Sequence, residues 1–562
     1  MQAQAIVRQS ARNDRPFLQT IVFGGALVAT LAVFFRLQLI NGFTVLFGDR
    51  GDAVIVAALL EHWFNVFRGL EPWDMPQYFY PHADILGYNE GFFLFGAIYA
   101  AFRFVGLDPF LSSELVTAAV KIIGFAGFFL ATREIFRISF IWALFGAVLF
   151  TLAHNSFTHA FHAQLQAIAF APVFWFLVAR VIRAMIVRPG GAAVAAWGAG
   201  AALFYAAWLI SAYYMAWFTG FFTLVLSAIL LVMAPRAARA ETFRVLQRNL
   251  RPLFLCTLIA ATALLPFLIV YLPKARETGM HPFATALSFT PSLLDIVNVG
   301  SDNWMFGRIR DLLIRITCPD CYLDTDERTV GLAPLLLLVF LVAGATLRPW
   351  RDRHWRTLLV TAIALAVVLC WALAVHVGEH SAWYAIYQLV PGAAGVRVIA
   401  RLQIFLTAPL LAVVVWFLAR STSRVSTPVL AALSGLLLFA EMNTGAVDLD
   451  RRAALARVMV TTPAPPSCTA FFVSAAADQG EDGPGDALFK HNADAMLISE
   501  LTHLPTINGF ATFTPPDWNF ASPRQPDYLS RVRHYATAHN LTGLCRLDLP
   551  SQRWQPLDQI AP

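Results

Sequence analysis

Charged residues are scarce in this chain: Asp, Glu, Lys and Arg make up 14% of its 562 residues, whereas 58% are apolar. A typical soluble domain has about 25% charged and about 45–50% apolar residues. This deficit excludes a large soluble enzyme, a nucleic-acid-binding protein and a disordered scaffold. Cysteine is also rare, with six residues in the chain, which excludes a fold built on disulfides. We therefore expect a polytopic α-helical membrane protein.

The apolar residues form runs that are long enough to cross a bilayer, which takes about 20 residues. About eleven such runs occur, near 17–39, 112–132, 139–156, 163–183, 192–212, 214–234, 252–272, 330–347, 357–377, 398–420 and 427–445. With eleven spans, all the arginine clusters fall on one side of the membrane. Because basic loops remain in the cytoplasm, we expect a cytoplasmic N-terminus and a C-terminus on the far side.

Three long polar regions, 40–111, 273–329 and 446–562, fall on that far side. Residues 1–445 would then form the transmembrane domain and residues 446–562 an external domain. Within the first region, Gly91–Val105 is apolar but too short to cross, and Arg103 interrupts it. We expect an amphipathic helix there, at the membrane interface.

The polar tail has the pattern of a small α/β domain. A proline-rich linker precedes a strand-like run near 468–473, and a second strand-like run spans 541–549. Helical patterns lie between them near 487–502 and 527–539. At roughly 100 residues, the tail is long enough to fold as a domain of its own.

Two carboxylates, Asp49 and Asp52, follow the first span directly. Residues three apart can share one face of a helical turn. In an apolar cavity, such groups can act as a general base or as metal ligands, because burial raises a carboxyl pKa towards working pH. The alternative is that both merely cap the helix that begins near Ala53.

Three segments of the chain resemble the family-C (GT-C) glycosyltransferases, which use lipid-linked sugars. The segments are Gly48-Asp49…Asp52…Glu61-His62…Trp73…Phe79-Tyr80-Pro81, Arg397-Val-Ile-Ala-Arg401, and Asn508-Gly509-Phe510…Pro515-Pro516. The layout, with a long first external loop and an external C-terminal domain, is similar too. The resemblance implies a GT-C fold with amphipathic helices in that loop.

This resemblance also implies an activity. The expected reaction is inverting transfer of a hexosyl or pentosyl group from a polyprenyl-phosphate donor to an envelope glycan, lipid or protein. It would take place on the periplasmic side of a bacterial inner membrane, with the donor and membrane lipid as partners and no nucleic acid. Asp49 would be the base on the acceptor, and Asp52 would assist it or bind a divalent metal such as Mg²⁺ or Mn²⁺.

A histidine group stands where metal-dependent relatives have a second acidic motif. Here the chain has His154, His159 and His162, followed by Gln164. Since neutral imidazoles bind zinc and manganese, His159 and His162 are metal-ligand candidates beside Asp49 and Asp52. The alternative is that this group lines an acceptor groove, for which the other candidates are His62, Tyr213 and Tyr214.

Three basic residues are candidates for contact with the donor phosphate. Lys121 lies inside the second span, where an ion is functional by default. Its alternative role is a helix-holding pair with a residue such as Glu114, two turns earlier on the same face. Arg397 and Arg401 share a helix face at the outer edge of a late span and suit bidentate phosphate binding, although snorkelling at a helix end is the alternative.

The cysteines permit two disulfides. Cys318 and Cys321 are close enough in the second external loop to form a small bridge, the usual outcome in an oxidising compartment. Cys468 and Cys545 lie on the first and last predicted strands of the tail and would pair if those strands are neighbours.

Two other functions compete with sugar transfer. A transporter or flippase for a polyprenyl-linked glycan would show paired halves with interrupted helices, which the sequence lacks. A non-catalytic relative that scaffolds envelope assembly would keep the architecture and leave Asp49 in bulk water. No phosphate-binding loop or dinucleotide fingerprint stands in a suitable context, so ATP- and nicotinamide-driven chemistry is not expected.

Overall fold

The computed structural model of the chain describes residues 16–317, 325, 327–349, 354–473, 490–521, 523 and 525–560. Up to residue 445 these are mostly helical. The helices are α1 (Pro16–Phe34), α2 (Arg36–Asn41), α3 (Asp52–Phe67), α4 (Phe93–Phe104), α5 (Pro109–Ala131), α6 (Phe140–Thr151), α7 (His154–Thr158), α8 (Phe170–Val187), α9 (Ala192–Ser211), α10 (Tyr213–Met233), α11 (Arg236–Arg248), α12 (Leu250–Thr278), α13 (Phe283–Ser288), α14 (Gly307–Thr317), α15 (Pro334–Thr346), α16 (Trp355–Ala374), α17 (Trp383–Leu389), α18 (Leu402–Ser421) and α19 (Thr427–Glu441).

Among the described residues, nine helices are long and apolar enough to cross a membrane. They comprise α1, α5, α6 with α7, α8 with the preceding 3₁₀ turn, α9, α10, α12, α16, and α18 with the turn before it. Two of the predicted spans are shorter helices, α15 with 13 residues and α19 with 15. Together these eleven elements match the predicted runs, so the polytopic helical fold is confirmed.

Helix α18 forms the centre of the bundle. Its side chains from Leu402 to Leu418 are almost all buried. A helix that is apolar on all sides belongs in the interior, because each of its faces can then pack on a neighbour. Helices α6, α15 and α16 pack around it. The first residue before α18 is Arg401, which is thereby fixed at one end of the bundle.

The basic clusters meet at the opposite end. Arg183 after the middle of α8 donates to Glu134 at the end of the second span, with Nη1 and Oε1 2.9 Å apart. A cavity of about 430 Å³ at this end is lined by Arg137, which follows the second span, by Arg356 at the start of α16 and by Arg420 at the end of α18. Arg137, Arg356 and Arg420, which belong to three of the predicted basic clusters, therefore lie together at one end of the bundle, as the count of eleven spans requires. The arginines before residue 16 lie outside the described residues.

The first long loop contains helices α3 and α4. Helix α4 is the short apolar helix expected from Gly91–Val105. Its one basic residue does not face lipid: Arg103 forms a two-nitrogen ion pair with Glu61 of α3, with both N···O distances at 2.8 Å. This pair holds α3 and α4 together.

The C-terminal region confirms a small sheet with flanking helices. Its elements are β4 (Leu449–Asp450), α20 (Arg451–Val458), β5 (Ala470–Val473), α21 (Lys490–Thr502), α22 (Tyr528–Ala538), β6 (Leu544–Asp548) and β7 (Arg553–Pro556). Strand β5 pairs in parallel with β6, and β6 pairs with β7 antiparallel. Two further short pairings involve β1 (Val45–Leu46) with β4, and β2 (His376–Val377) with β3 (His380–Ser381).

A disulfide joins Cys468 to Cys545 within this sheet. Phe471 of β5 pairs with Cys545 of β6, so the two predicted strands are neighbours. From the sequence, this bridge is expected only if these strands are adjacent. The other expected bridge, between Cys318 and Cys321, lies outside the described residues.

The C-terminal region packs on the first long loop. Helix α21 lies along α3, and Arg50 pairs with the buried Asp494 at 3.1 Å. Gly509 lies so close to Phe79 that a Cβ atom there would be 2.5 Å from the Phe79 ring. The Phe79-Tyr80-Pro81 and Asn508-Gly509 segments, which carry the family resemblance, therefore meet in space.

Candidate functional site

Five separate segments bring polar side chains together at the end of the bundle opposite the basic clusters. They are the start of α3, the residues before α4, the loop after α7, the start of α10 and the turn before α18. Their polar side chains are Asp52, Glu90, His159, His162, Tyr214 and Arg401. Because α18 is fixed by its packing, the Arg401 end of the cluster is rigid.

Asp52 and His162 form the most direct contact of this cluster. Oδ2 of Asp52 lies 3.1 Å from Nε2 of His162, and the aspartate side chain is 41% exposed while the histidine is nearly buried. Burial raises the pKa of the Asp52 carboxyl, but the hydrogen bond from His162 and the positive charges of His162 and Arg401 outweigh it and lower the pKa overall. Asp52 is therefore a solvent-accessible carboxylate at neutral pH.

Arg401 is the positive centre of the cluster. Its guanidinium carbon lies 5.6 Å from the centroid of the Tyr214 ring, a cation–π contact that orients the side chain. Its charge lowers the pKa of Asp52 and of Glu90, and it helps to keep His159 neutral. A guanidinium placed among two carboxyls and held by an aromatic face suits bidentate binding of phosphate.

Glu90 is the residue of this cluster that sequence analysis missed. Burial raises the pKa of Glu90 to about 7, although Arg401 and the backbone amides of Tyr214 and Tyr213 act in the opposite direction. Its Oε1 accepts from the Tyr214 amide at 3.5 Å. The available signal was its position, since Glu90 is an acid placed directly before the apolar run at 91–105.

His159 is buried, and neither ring nitrogen has a hydrogen-bond partner of normal geometry among the described residues, although the backbone of Thr329 is close. Burial, followed by the charges of His162 and Arg401, holds its pKa well below the ordinary value, so the ring is neutral. Gln166 donates to the His159 carbonyl at 2.7 Å and fixes this loop. His159 is thus a neutral nitrogen donor next to His162.

The other residues of the histidine group lie deeper or apart. The backbone amide of His154 donates to Glu441 at the end of α19, at 2.8 Å, and the ring is fully buried. Gln164 is partly buried, and its Oε1 has no hydrogen-bond partner among the described residues. His154 therefore ties α7 to α19.

Asp49 has the capping role that the sequence left open as an alternative. Its Oδ1 accepts from the backbone amides of Gly51 and Asp52, both at 2.8 Å, where α3 begins. The side chain is exposed, and no ion pair to Asp49 occurs within the described ranges. Asp49 and Asp52 thus have different surroundings although they are three residues apart.

Arg397 and the tyrosines lie near the cluster. The Tyr214 hydroxyl accepts from the Arg397 backbone amide at 2.8 Å, and the Arg397 guanidinium lies over Phe289 at 5.4 Å. Tyr213 donates to the Gly392 carbonyl at 2.8 Å. These contacts fasten the segment before α18 to the start of α10, so Arg397 and Tyr213 support the backbone on which Arg401 stands.

Lys121 lies below this cluster, inside α5. Its Nζ is 4.3 Å from the centroid of the Phe34 ring. The pairing with Glu114 considered from the sequence does not occur: the Glu114 carboxylate accepts from Gln38 at 2.7 Å instead. Lys121 therefore contacts the aromatic end of the first span and does not join Arg401.

His62 belongs to a different network. Its Nδ1 lies 2.8 Å from Glu71, and its Nε2 lies 3.0 Å from the Trp73 carbonyl. Asn65 donates to Glu71 and to the carbonyl of Glu500, both at 2.9 Å. The side chains of His62, Asn65, Glu71 and Glu500 are buried. His62 therefore helps to bind the first loop to α21 and lies away from the Asp52 cluster.

The described residues contain two groups that bring three potential metal ligands within 4.8 Å: His62, Glu71 and Glu500, and His82, Asp517 and His539. Neither group includes Asp52. A metal at the Asp52 cluster would have Asp52 and His162 as ligands, with His159 adjacent. This mixed set of one carboxylate and imidazoles fits Mn²⁺ or Zn²⁺ and does not fit Mg²⁺, which prefers oxygen ligands.

The structure resembles the archaeal oligosaccharyltransferase AglB from Archaeoglobus fulgidus, solved with an inhibitory peptide and a dolichol-phosphate. The TM-score is 0.52 and the sequence identity 12%, covering 93% of this chain and 69% of that one. At this identity, the likeness concerns the fold, and it confirms the GT-C fold that the sequence predicted.

Two further solved structures were matched. An oligosaccharyltransferase from Archaeoglobus fulgidus, in complex with Zn and sulfate, has a TM-score of 0.47 and 13% identity, covering 86% of this chain and 62% of that one. ArnT from Cupriavidus metallidurans, bound to undecaprenyl phosphate, has a TM-score of 0.33 and 13% identity, covering 87% and 85%. No protein-family model and no curated protein sequence matches the chain.

Proposed function

We propose that this chain is a membrane glycosyltransferase that moves a sugar from a polyprenyl-phosphate carrier to an acceptor. The observation that carries the proposal is the meeting of Asp52, His162 and Arg401 at one end of the membrane spans. An accessible carboxylate beside a fixed guanidinium supplies the two things that such a transfer needs: a proton acceptor and a partner for the phosphate that leaves.

Arg401 binds the donor phosphate in this proposal. As the bond between the anomeric carbon and the phosphate oxygen breaks, its electron pair remains on the carrier phosphate, and negative charge grows there. A guanidinium already oriented by Tyr214 stabilises that charge without reorganisation. Glu90 is a positioning residue, because its partly buried carboxyl near Arg401 limits where the guanidinium can point.

Asp52 activates the acceptor. The acceptor oxygen forms a bond to the anomeric carbon on the face opposite the phosphate, which inverts its configuration, and the acceptor proton passes to the Asp52 carboxylate. The contact at 3.1 Å lets His162 hold that carboxylate in place. A bound Mn²⁺ or Zn²⁺, held by Asp52 and His162, would supply a Lewis acid at the acceptor oxygen.

We propose Asp52, in place of Asp49, as the base, because the two carboxylates have different surroundings. Asp49 uses one carboxylate oxygen to cap α3, whereas Asp52 faces His162 and Arg401. An exposed Asp49 is also what a non-catalytic relative would have. The arrangement around Asp52 is what favours an enzyme over a scaffold of that kind.

The reaction would take place on the far side of the membrane from the basic clusters. We propose the periplasmic face of a bacterial inner membrane, with a hexosyl or pentosyl donor and an envelope glycan, lipid or protein as acceptor. The candidate cluster and the arginine-lined ends lie at opposite ends of the bundle, which suits this orientation.

The test compares D52N with D49N in a deletion strain complemented by each variant. We expect a polyprenyl-linked donor to accumulate in the deletion strain and with D52N, and to return to the wild-type amount with D49N. Mass spectrometry of extracted carrier lipids measures the donor, and the amount of folded membrane protein is the control. If D52N restores the wild-type lipid profile, Asp52 is not the base and the proposal fails.

A further inference from the structure

A second cluster of ligand-type side chains lies where the first long loop meets the C-terminal region. It consists of His82, Asp517 and His539. Nε2 of His82 lies 3.1 Å from Oδ1 of Asp517, and Nε2 of His539 lies 2.6 Å from Oδ2. Two imidazole nitrogens thus approach the two oxygens of a single carboxylate. Nothing in the proposed sugar transfer uses these residues.

The backbone around each ligand is fixed. Tyr80, two residues before His82, donates its amide to Thr506 at 2.9 Å and accepts at its carbonyl from Tyr535 at 3.1 Å. Asp517 follows Pro515 and Pro516 and precedes Trp518, whose ring packs edge-on against Phe79. His539 follows the end of α22 directly. The three side chains therefore converge from one segment of the first long loop and two segments of the C-terminal region.

One contact of the cluster is not explained by hydrogen bonding. His539 and Asp517 make a hydrogen bond, but the buried Nε2 of His82 has no partner of hydrogen-bond geometry, although Oδ1 of Asp517 is near it. A metal ion between these atoms would satisfy that nitrogen, because a lone pair directed at a cation does not need the alignment of an N–H donor.

The charge around the cluster also favours a cation. The charged groups that act on His82, besides its two cluster partners, are Lys274 and Glu277, which pair with each other at 2.8 Å. The charges of Lys274 and Glu277 cancel. Because imidazoles bind a metal in their neutral form, the three ligands together would present the one negative charge of Asp517 to the ion. Asp517 is 47% exposed, so an ion could reach it from solvent.

We propose that His82, Asp517 and His539 bind a divalent transition-metal ion, with Zn²⁺ as the expected one. Two imidazoles and one carboxylate are an established zinc ligand set, and water would take the remaining position. The ion would join a ligand from the first long loop to two ligands from the C-terminal region. Its role would be to hold these two parts of the chain together.

The experiment measures zinc bound to the full-length protein in lipid nanodiscs. Protein stripped with EDTA is equilibrated with Zn²⁺ and desalted, and its zinc is determined by mass spectrometry. We expect D517N and H539Q each to bind one equivalent less than the wild type. H534Q, which changes an exposed histidine of α22 outside the cluster, should bind the same amount as the wild type. Because the result is the difference in bound zinc between the wild type and each variant, any zinc at Asp52, present in both, cancels.

A second measurement needs only the wild type. Zinc bound at this cluster should protect His539 from acylation by diethyl pyrocarbonate and leave His534 as reactive as before, as read from labelled peptides. Equal zinc contents for the wild type, D517N and H539Q would overturn the proposal. Unchanged labelling of His539 on addition of Zn²⁺ would overturn it too, even if the variants fail to fold.

Discussion

Asp52 and His162 lie 3.1 Å apart, although one opens helix α3 and the other stands in the loop after α7. This contact joins the first long loop to the connection between the third and fourth spans. A histidine paired with an aspartate leaves the site with less negative charge than two acids would, which suits a site that already contains Arg401.

Two substitutions of Arg401 should distinguish the effect of its positive charge from the effect of its bidentate geometry. We expect R401Q to lower the transfer rate by about 10²–10³-fold, because the charge that grows on the leaving phosphate loses its partner. R401K should recover part of that loss, since lysine keeps the charge but not the bidentate geometry. Single-turnover transfer from a purified polyprenyl-phosphate donor measures both. R424Q, at the opposite end of the bundle, is the control, and a rate for R401Q equal to that of R424Q would contradict the assignment.

Replacing Glu90 should change how stability depends on pH. Burial raises the pKa of Glu90 from 4.5 to about 7, so the folded state favours its neutral form, and stability from this group is lost as pH rises across that interval. E90Q cannot ionise. We therefore expect the free energy of unfolding of E90Q, relative to that of the wild type, to be higher at pH 8 than at pH 5 by roughly 1–3 kcal/mol.

Denaturant unfolding in nanodiscs at the two pH values measures this difference for Glu90. The matched control is E379Q, which changes an exposed glutamate distant in sequence from the cluster. Its difference from the wild type should be the same at both pH values. A pH-independent effect of E90Q would show that Glu90 does not titrate in this range.

Adding one methyl group at Gly509 should weaken the contact between the first loop and the C-terminal region. The new Cβ would lie 2.5 Å from the Phe79 ring. That ring is buried between Tyr88 and Trp518 and has no room to move. We expect G509A to lower the free energy of unfolding by about 1–3 kcal/mol.

Limited proteolysis of the linker at 461–466 reports on that loss, since a weakened contact exposes the linker more often. G344A is the control, because a Cβ at Gly344 would meet nothing within 4 Å. Equal cleavage of G509A and G344A would mean that Phe79 can adjust.

Removing the Cys468–Cys545 bridge should destabilise the sheet. The bridge spans 77 residues, and losing such a constraint on the unfolded chain costs about 2–4 kcal/mol. We expect the C468S/C545S double variant to unfold at lower denaturant. C256S, which changes a free cysteine, should not. Unfolding that is identical in the presence and absence of a reductant would contradict this prediction.

The sequence predicted the membrane spans and the tail because both follow from local patterns. Apolar runs marked the helices, and short strand-like runs marked β5 and β6. Two spans, α15 and α19, are shorter than expected, with 13 and 15 residues: α15 begins only at Pro334 of the predicted run 330–347, and α19 ends at Glu441 of the predicted run 427–445. Strand β7 was not predicted, since four residues carry too little pattern.

The candidate site could be predicted only in part, because its geometry depends on contacts between distant segments. Asp52, His162 and Arg401 were candidates by residue type, but nothing local showed that they meet. Glu90 was missed because its burial depends on α10. His62 looked similar to the other histidines in sequence, yet Glu71 and Trp73 bury it in another network.

Helix α3 carries Asp52 at its first residue and Asn65 near its last. Asn65 donates to the Glu500 carbonyl of α21. The helix that positions the Asp52 carboxylate is therefore packed along its side against the C-terminal region. In a shortened protein that stops after the last span, the side of α3 that faces α21 would be exposed to solvent, and α3 would lose the packing that holds it in place. The C-terminal region therefore cannot simply be exchanged for that of a relative. The surface of the new region would have to be redesigned to pack on α3 before the Asp52 carboxylate could take its correct position.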